Sequence, residues 1–293
     1  LMFVGLTDYP ALLVIPVFWI LGRKDWKRLA ISHLPLVISY LFWLPIFIKQ
    51  LVAGLAVNVS SPNWWQILGK TNLKELLLIP TKFILGRISF DNKWVYGVLV
   101  CLATLLFGYL MFRSIRLQKS TRRVDFYWLV IPVILAALIG FKVSIFSYFR
   151  LLFVLPAFYL LVAYGISTLK KPWFYLFFGF TIATNLLASS YYLFSPRFHR
   201  EDWRSAAEAL GNSKIVFPVN SQKEALTYYG KENQIIDLNE TNIEYKEIYL
   251  SRYVWEVFDP SDIARQKIES LEYNKTSEYN FNGVVIYKYA HSN

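Results

Sequence analysis

A few charged residues lie inside or at the ends of long apolar stretches, where burying a charge is costly and polar residues commonly serve function. Asp8 lies within "GLTDYPALL", beside Tyr9. Lys142 and Arg150 bracket the short stretch "FKVSIFSYFR", in which Tyr148 stands close to the arginine. An arginine in poorly hydrated surroundings can offer forked donors to a phosphate oxygen. Asp8, Lys142 and Arg150, with Tyr148 beside the arginine, are therefore candidates for substrate binding, and Arg150 is suited to a phosphate.

Each candidate also has a simpler explanation that sequence alone leaves open. Arg150 and Lys142 could anchor helix ends at lipid headgroups, where long basic side chains extend toward water. Asp8 could be a helix-end carboxylate with ordinary hydrogen-bond partners. The sequence therefore supplies candidates for substrate binding and does not by itself assign a role to any of them.

Other kinds of site find little support. Cys101 is the one cysteine and permits no disulfide within the chain. The three histidines, His33, His199 and His291, are too scattered for a metal cluster. No Ser/His/Asp arrangement is apparent, and no glycine-rich phosphate loop follows a predicted strand. We therefore expect neither a metal nor a cofactor.

The composition is typical of a membrane protein. Of 293 residues, 55% are hydrophobic and 17% charged, whereas soluble domains have about 25% charged residues. We predict a polytopic α-helical membrane domain over residues 1–194, with about six transmembrane helices, and a small extracytoplasmic α/β domain over residues 195–293. A membrane helix needs about 20 apolar residues. The stretches that meet this length lie at about 1–22, 29–53, 94–112, 125–146, 151–168 and 172–194.

Basic residues mark one side of the predicted bundle. "RKDWKR" (23–28), "RSIRLQKSTRR" (113–123) and "KK" (170–171) follow alternate helices, and the positive-inside rule makes their shared face cytoplasmic. Residues 1–194 carry 19 Lys and Arg against 5 Asp and Glu, whereas residues 195–293 carry 12 against 15. The basic charge thus belongs to loops that flank the membrane and suit anionic lipid, and it does not favour a nucleic-acid partner.

The stretch 72–90, "NLKELLLIPTKFILGRISF", differs from the predicted spans. It mixes apolar runs with Lys74, Lys82 and Arg87, and Pro80 is expected to break it in the middle. This pattern predicts a helix that lies in the membrane interface, with its apolar face in lipid. A short re-entrant segment is the alternative.

Helix and strand patterns alternate in the last hundred residues. A helix is predicted from Asp202, as its N-cap, to Gly211. Two further helices are predicted in "SQKEALTYYG" and "PSDIARQKIESL", and strands at 214–219, 234–238, 247–253 and 281–290. Such alternation predicts a small α/β domain with a largely parallel sheet.

Five stretches in this order resemble a known family. They are "LTDYPALL" (6–13), "FWLPIFIKQ" (42–50), "SYFRLLFVLPAFYLLVAYGI" (147–166), "HREDWRSAAEAL" (199–210) and "ALTYYG" (225–230). Together they resemble the C-terminal half of bacterial membrane glycosyltransferases of the GT-C fold, relatives of protein O-mannosyltransferases and the lipid A aminoarabinose transferase. The resemblance covers nearly the whole chain.

The resemblance implies transfer of a sugar from a polyprenyl-phosphate carrier to a lipid, glycan or protein acceptor on the outer face of the bacterial plasma membrane. It places the catalytic carboxylate in an outer loop upstream of Leu1, so the chain is expected to be a C-terminal fragment that is inactive alone. The family's basic residue facing the carrier phosphate corresponds best to Arg150. Asp8 and Tyr9 match a position near the substrate cavity.

Two other classes of function compete with this interpretation. A non-enzymatic membrane anchor could display the α/β domain for binding a partner or a polysaccharide. A transporter is favoured less, because the segments show no paired short, Gly- or Pro-interrupted helices in repeated halves.

Overall fold

A computed structural model of the protein describes residues 8–60, 63, 69–118, 123–143, 145–219, 222–240 and 245–291. The chain divides into two compact units. The helical unit extends to Tyr192, and the α/β unit contains Asn63 and the residues from Leu193 onward. Residues 1–7 of the first predicted helix lie outside the described residues.

Long apolar segments fold the first unit into helices. Two of the helical stretches begin with a short 3₁₀ helix and continue directly as an α-helix. The two 3₁₀ helices are named the Tyr9 helix and the Tyr148 helix. The elements are the Tyr9 helix (Tyr9–Val14), α1 (Ile15–Leu21), α2 (Trp26–Ser60), α3 (Leu73–Leu85), α4 (Lys93–Leu117), α5 (Val124–Ile139), the Tyr148 helix (Tyr148–Val154), α6 (Leu155–Ser167) and α7 (Lys171–Phe194).

Four of the described helical stretches are long and apolar enough to cross a membrane: Arg23–Ala56, Lys93–Leu117, Tyr148–Ser167 and Lys171–Phe194. The apolar helices Tyr9–Leu21 and Val124–Ile139 are shorter, so the count of six spans stays a prediction. Many large apolar side chains of these helices are exposed, with Phe42 in α2 81% exposed. Apolar surface on this scale is typical of contact with lipid or with other helices.

Two details of the predicted helices were wrong. The helix predicted over 125–146 ends at Ile139, because the chain turns at Gly140, where a side chain would collide with Thr71 and Phe146. Pro80 lies inside α3 and does not break it. The proline removes one backbone hydrogen bond, but Phe83 and neighbouring apolar residues of α3 are buried in the helical core and hold the helix.

The helical core depends on a close approach between α4 and α6. A Cβ atom placed on Gly165 would lie 2.1 Å from the backbone oxygen of Leu110. Further along the same pair of helices, Arg113 donates hydrogen bonds of 2.8 Å to both the hydroxyl and the backbone oxygen of Thr168. These contacts fix how far α6 is displaced along α4, and α6 continues directly from the Tyr148 helix.

The second unit is a five-stranded sheet with helices on both faces. Its strand order is β2-β1-β3-β5-β4, in which β1 pairs in parallel with β2 and β3, and β5 pairs antiparallel with β3 and β4. The elements are α8 (Trp203–Leu210), β1 (Lys214–Val216), α9 (Glu224–Tyr228), β2 (Ile235–Ile236), β3 (Glu247–Ser251), α10 (Trp255–Phe258), α11 (Ile263–Ser270), β4 (Tyr273–Phe281) and β5 (Val284–His291).

The predicted helices of this unit are confirmed in shorter form. Asp202 is the N-cap of α8 and accepts a hydrogen bond of 3.0 Å from the backbone N–H of Ser205, while Gly211 ends the helix at φ +56. Trp203 packs edge-on against Tyr253, with ring centroids 5.0 Å apart. Trp203 therefore serves the packing of the α/β unit.

The predicted largely parallel sheet was wrong. The strand expected at 281–290 is the second arm of a hairpin whose first arm, β4, was missed. Its turn is Asn282-Gly283, with φ values of +50 and +101, as a type I′ turn requires. β4 escaped detection because its sequence, "YNKTSEYNF", is mostly polar, as suits a strand that is largely exposed.

A buried arginine directly after β3 links this strand to α10 and to the start of α11. Arg252 is 5% exposed, forms an ion pair with Asp262, and has its guanidinium carbon 4.2 Å from the centroid of the Trp255 ring. Arg265 also contacts Asp262. Burial alone would raise the pKa of Asp262, but hydrogen bonds from Arg265 and Arg252 outweigh it and hold that pKa below its usual range.

Gly165→Ala is expected to destabilise the helical unit, because the added methyl group must displace the backbone of α4. Overpacking of this kind costs about 1–3 kcal/mol. The melting temperature of the purified chain in detergent measures the effect. Gly108→Ala is the matched control, since no described residue outside α4 comes within 4 Å of a Cβ at that position. Equal melting of the two variants would contradict the close approach.

Asp262→Asn is expected to weaken the α/β unit near neutral pH and to have little effect in acid. Because the folded pKa of Asp262 is depressed, its stabilisation is present above its unfolded pKa of about 3.9 and is lost as pH falls through the lower folded value. The substitution leaves the charge of the buried Arg252 without its ion-pair partner, and a loss of this kind costs up to about 3–5 kcal/mol.

Protease resistance of residues 195–293 in the full chain reports the stability of the α/β unit. The urea concentration at which this resistance is lost is measured at several pH values, from neutral to below about 4. Glu278→Gln is the control, since the Lys275–Glu278 pair is partly exposed and worth less than about 1 kcal/mol. A deficit in Asp262→Asn that did not shrink in acid would contradict the assignment.

Candidate functional site

Five segments meet at one end of the helical unit. The Tyr9 helix packs against both the Tyr148 helix and α5, and the Tyr148 helix also contacts α3 and α5. Residues 69–71 lie against the turn that follows α5. This end is opposite the Arg113–Thr168 contact, because Tyr148–Ser167 is one helical stretch about 30 Å long.

Two glycines let the backbone pack tightly at this end. Gly69 has φ +87, and a Cβ there would lie 2.4 Å from the backbone oxygen of Phe146. A Cβ on Gly140 would lie 2.3 Å from the hydroxyl of Thr71, which donates a hydrogen bond of 2.7 Å to the backbone oxygen of Ala137. Residues 69–71 thereby hold the turn that leads directly into Ser147 and Arg150.

Ser147 and Arg150 present donors that the described residues do not use. Ser147 is 4% exposed, and its hydroxyl caps no helix and has no hydrogen-bond partner among those residues. Arg150 is half-buried, and its Nε likewise has no described partner. Its guanidinium carbon lies 5.8 Å from the ring centroid of Phe149. An oxyanion is the kind of group that such donors bind.

Asp8 stands at the N-terminus of the Tyr9 helix, half-buried, and its side chain makes no capping hydrogen bond. Its carboxylate and the Arg150 guanidinium interact electrostatically. They form no direct ion pair, since the ion pairs of the described residues all lie between Glu247 and Lys288. The structure thus brings Asp8 and Arg150 together without direct neutralisation.

The other three candidates lie in different surroundings. Tyr148 is half-buried against the helical core, with its ring centroid 5.7 Å from that of Phe149. The hydroxyl of Tyr9 accepts a hydrogen bond of 2.7 Å from the Trp43 indole and donates one of 2.6 Å to Gln50. Lys142 is exposed in the turn after α5, and no described residue pairs with its ammonium group. The structure therefore does not join Lys142 to the Asp8–Arg150 pair.

Ser147 was not a predicted site residue. The available signal was a serine directly before the aromatic and basic run "YFR", which is a common N-cap position. Its burial depends on Phe146 and the 69–71 segment, which sequence could not place. Among the described residues, no group of three His, Cys, Asp or Glu could hold a metal ion. The site can bind an anion through Arg150 and can accept a hydrogen bond at Asp8.

No protein-family model, curated protein or solved structure matches this chain. The resemblance stated from the sequence therefore remains an expectation, and the arrangement of residues at the site has to support any function on its own chemistry.

Tyr9→Phe is expected to destabilise the helical unit, because it removes the acceptor of the Trp43 indole N–H and the donor to Gln50. A polar group left without its partner costs about 1–3 kcal/mol. The melting temperature in detergent measures the loss. Tyr175→Phe is the control, because Tyr175 is 67% exposed and its hydroxyl has no described partner. If both variants melted alike, Tyr9 would not anchor the Tyr9 helix to α2.

Proposed function

We propose that this chain belongs to a membrane glycosyltransferase that takes a sugar from a polyprenyl-phosphate carrier. The protein lies in the plasma membrane of a bacterium, its basic loops face the cytoplasm, and the α/β unit lies outside. Transfer takes place at the outer face, to a lipid, glycan or protein acceptor. The four long apolar helices and the charge difference between the two parts of the chain support this placement.

The observation that carries the proposal is the state of Arg150. It lies half-buried at one end of an apolar helical unit, with no ion-pair partner among the described residues. The neighbouring donor on Ser147 is buried and also without a described partner. A lipid-linked phosphate combines an apolar chain that belongs in the bilayer with an oxyanion at the membrane surface. Such a ligand suits an apolar helical surface that ends at an arginine.

The chemistry asked of Arg150 is charge stabilisation. Transfer breaks the bond between the anomeric carbon of the sugar and a phosphate oxygen, and a new bond forms between that carbon and an acceptor hydroxyl. The acceptor proton passes to a carboxylate, which the family resemblance places upstream of Leu1. The carrier leaves as a phosphate monoester. A fixed guanidinium stabilises the negative charge that develops on this leaving oxygen.

Arg150→Ala is expected to lower the affinity of the purified chain for polyprenyl phosphate about 10-fold to 100-fold. Charge-assisted hydrogen bonds contribute about 1.5–3 kcal/mol each, and every 1.4 kcal/mol corresponds to about a factor of ten. Binding of undecaprenyl phosphate in detergent micelles is the primary measurement. Sugar transfer is then assayed in membranes containing the protein together with the upstream segments that the resemblance implies.

Arg116→Ala is the matched control for this experiment. Arg116 also lies 5.8 Å from the ring centroid of an aromatic neighbour, Phe112, but it is exposed in the last turn of α4. We expect its loss to leave affinity and transfer unchanged. Equal affinity of wild type and Arg150→Ala would remove Arg150 from the site. If the wild type and all variants bound the carrier but none transferred sugar, the result would favour the non-enzymatic anchor.

A further inference from the structure

Asp8 is the feature of this site that phosphate binding does not explain. An anion site gains nothing from a carboxylate next to its arginine, because the two negative charges repel. The Tyr9 helix nevertheless packs on the Tyr148 helix, so Asp8, directly before the first helix, and Arg150, within the second, lie at the same end of the helical unit. No described residue donates a hydrogen bond to the Asp8 side chain, which also does not cap its own helix. Both groups therefore remain available to a third group.

The pair has no net charge, and this fact limits the ligands that complement it. A sugar joined to the carrier through a phosphodiester has one negative charge for Arg150 and several hydroxyl donors for Asp8. A phosphate monoester carries about −1.5 to −2 at neutral pH and has no sugar hydroxyl to donate. Asp8 therefore repels both phosphates, the monoester more strongly because of its larger charge, and only the sugar-bearing diester offsets this repulsion with a hydrogen bond.

We infer that Asp8, placed beside Arg150 without an ion pair, makes this site prefer the sugar-loaded carrier over the free carrier phosphate. The inference rests on the proposed function and adds to it a specificity-determining residue. It also gives the site a way to release its product, since transfer of the sugar removes the hydroxyl donors and adds negative charge in one step. The spent carrier then leaves a site that no longer complements it.

Affinities for undecaprenyl phosphate and for its mannosyl phosphodiester, measured on the full chain in detergent at neutral pH, test the inference. Wild type should bind the diester more tightly. Asp8→Asn should bind the free phosphate about 3-fold to 30-fold more tightly, because one negative charge is removed at short range in a partly buried site. It should bind the diester no more tightly than wild type does, so the preference shrinks or is lost.

Asp125→Asn is the matched control, because Asp125 is also half-buried, but it lies in the first turn of α5 with Gln118 rather than an arginine as its electrostatic neighbour. Asp8→Glu retains the charge and should keep the preference, provided that both variants melt as wild type does; if Asp8→Asn does not, Asp8→Ser replaces it as the uncharged variant. Unchanged or equally weakened affinities for both ligands in Asp8→Asn would overturn the inference and leave the proposed function standing. A wild-type chain that bound neither ligand would overturn both.

Discussion

The backbone contact between residues 69–71 and the turn after α5 is the constraint on which the site depends. Gly69 and Gly140 allow an approach that no other residue permits without displacement of the backbone, and the Thr71 hydroxyl fastens it to the end of α5. This contact buries Phe146 and Ser147. The direction of the Tyr148 helix, and therefore the position of Arg150, follows from it.

Among the described residues, Arg123, Arg150 and Arg252 each have a buried Nε atom without a described hydrogen-bond partner. Arg150 and Arg252 also lie close to aromatic rings, and the difference between these two indicates which one is available to a ligand. Arg252 has an ion pair with Asp262 and lies against the Trp255 ring, so its charge is compensated within the α/β unit. Arg150 has an aromatic neighbour but no ion pair among the described residues. A poorly hydrated charge without an opposite charge nearby is costly. A ligand that supplies the opposite charge can therefore bind strongly.

A second close approach at a glycine, between α4 and α6, holds the other end of the helical unit. Because Gly165 lies against Leu110, α6 cannot slide or rotate without separating two backbones. The Arg113–Thr168 hydrogen bonds fix its far end. Lipid offers no hydrophobic driving force between helices, so close packing through small residues and polar contacts has to supply the stability. The rigidity that positions Arg150 is therefore built at both ends of one helical stretch.

Much of the architecture follows directly from the sequence. Apolar runs of sufficient length determined the long helices, Asp202 and Gly211 determined where α8 begins and ends, and the contrast in charge separated the two parts of the chain. Local pattern also selected Asp8 and Arg150, since charges in apolar stretches are rare enough to stand out. The tertiary structure decided the rest. Packing keeps α3 helical past Pro80 and ends α5 at Ile139. It also buries Ser147 and pairs the polar edge strand β4 in a hairpin. In addition, it brings Asp8 and Arg150, 142 residues apart, to one site. These outcomes depend on which distant surfaces meet, and hydrophobic periodicity, caps and turn residues report only on neighbours along the chain.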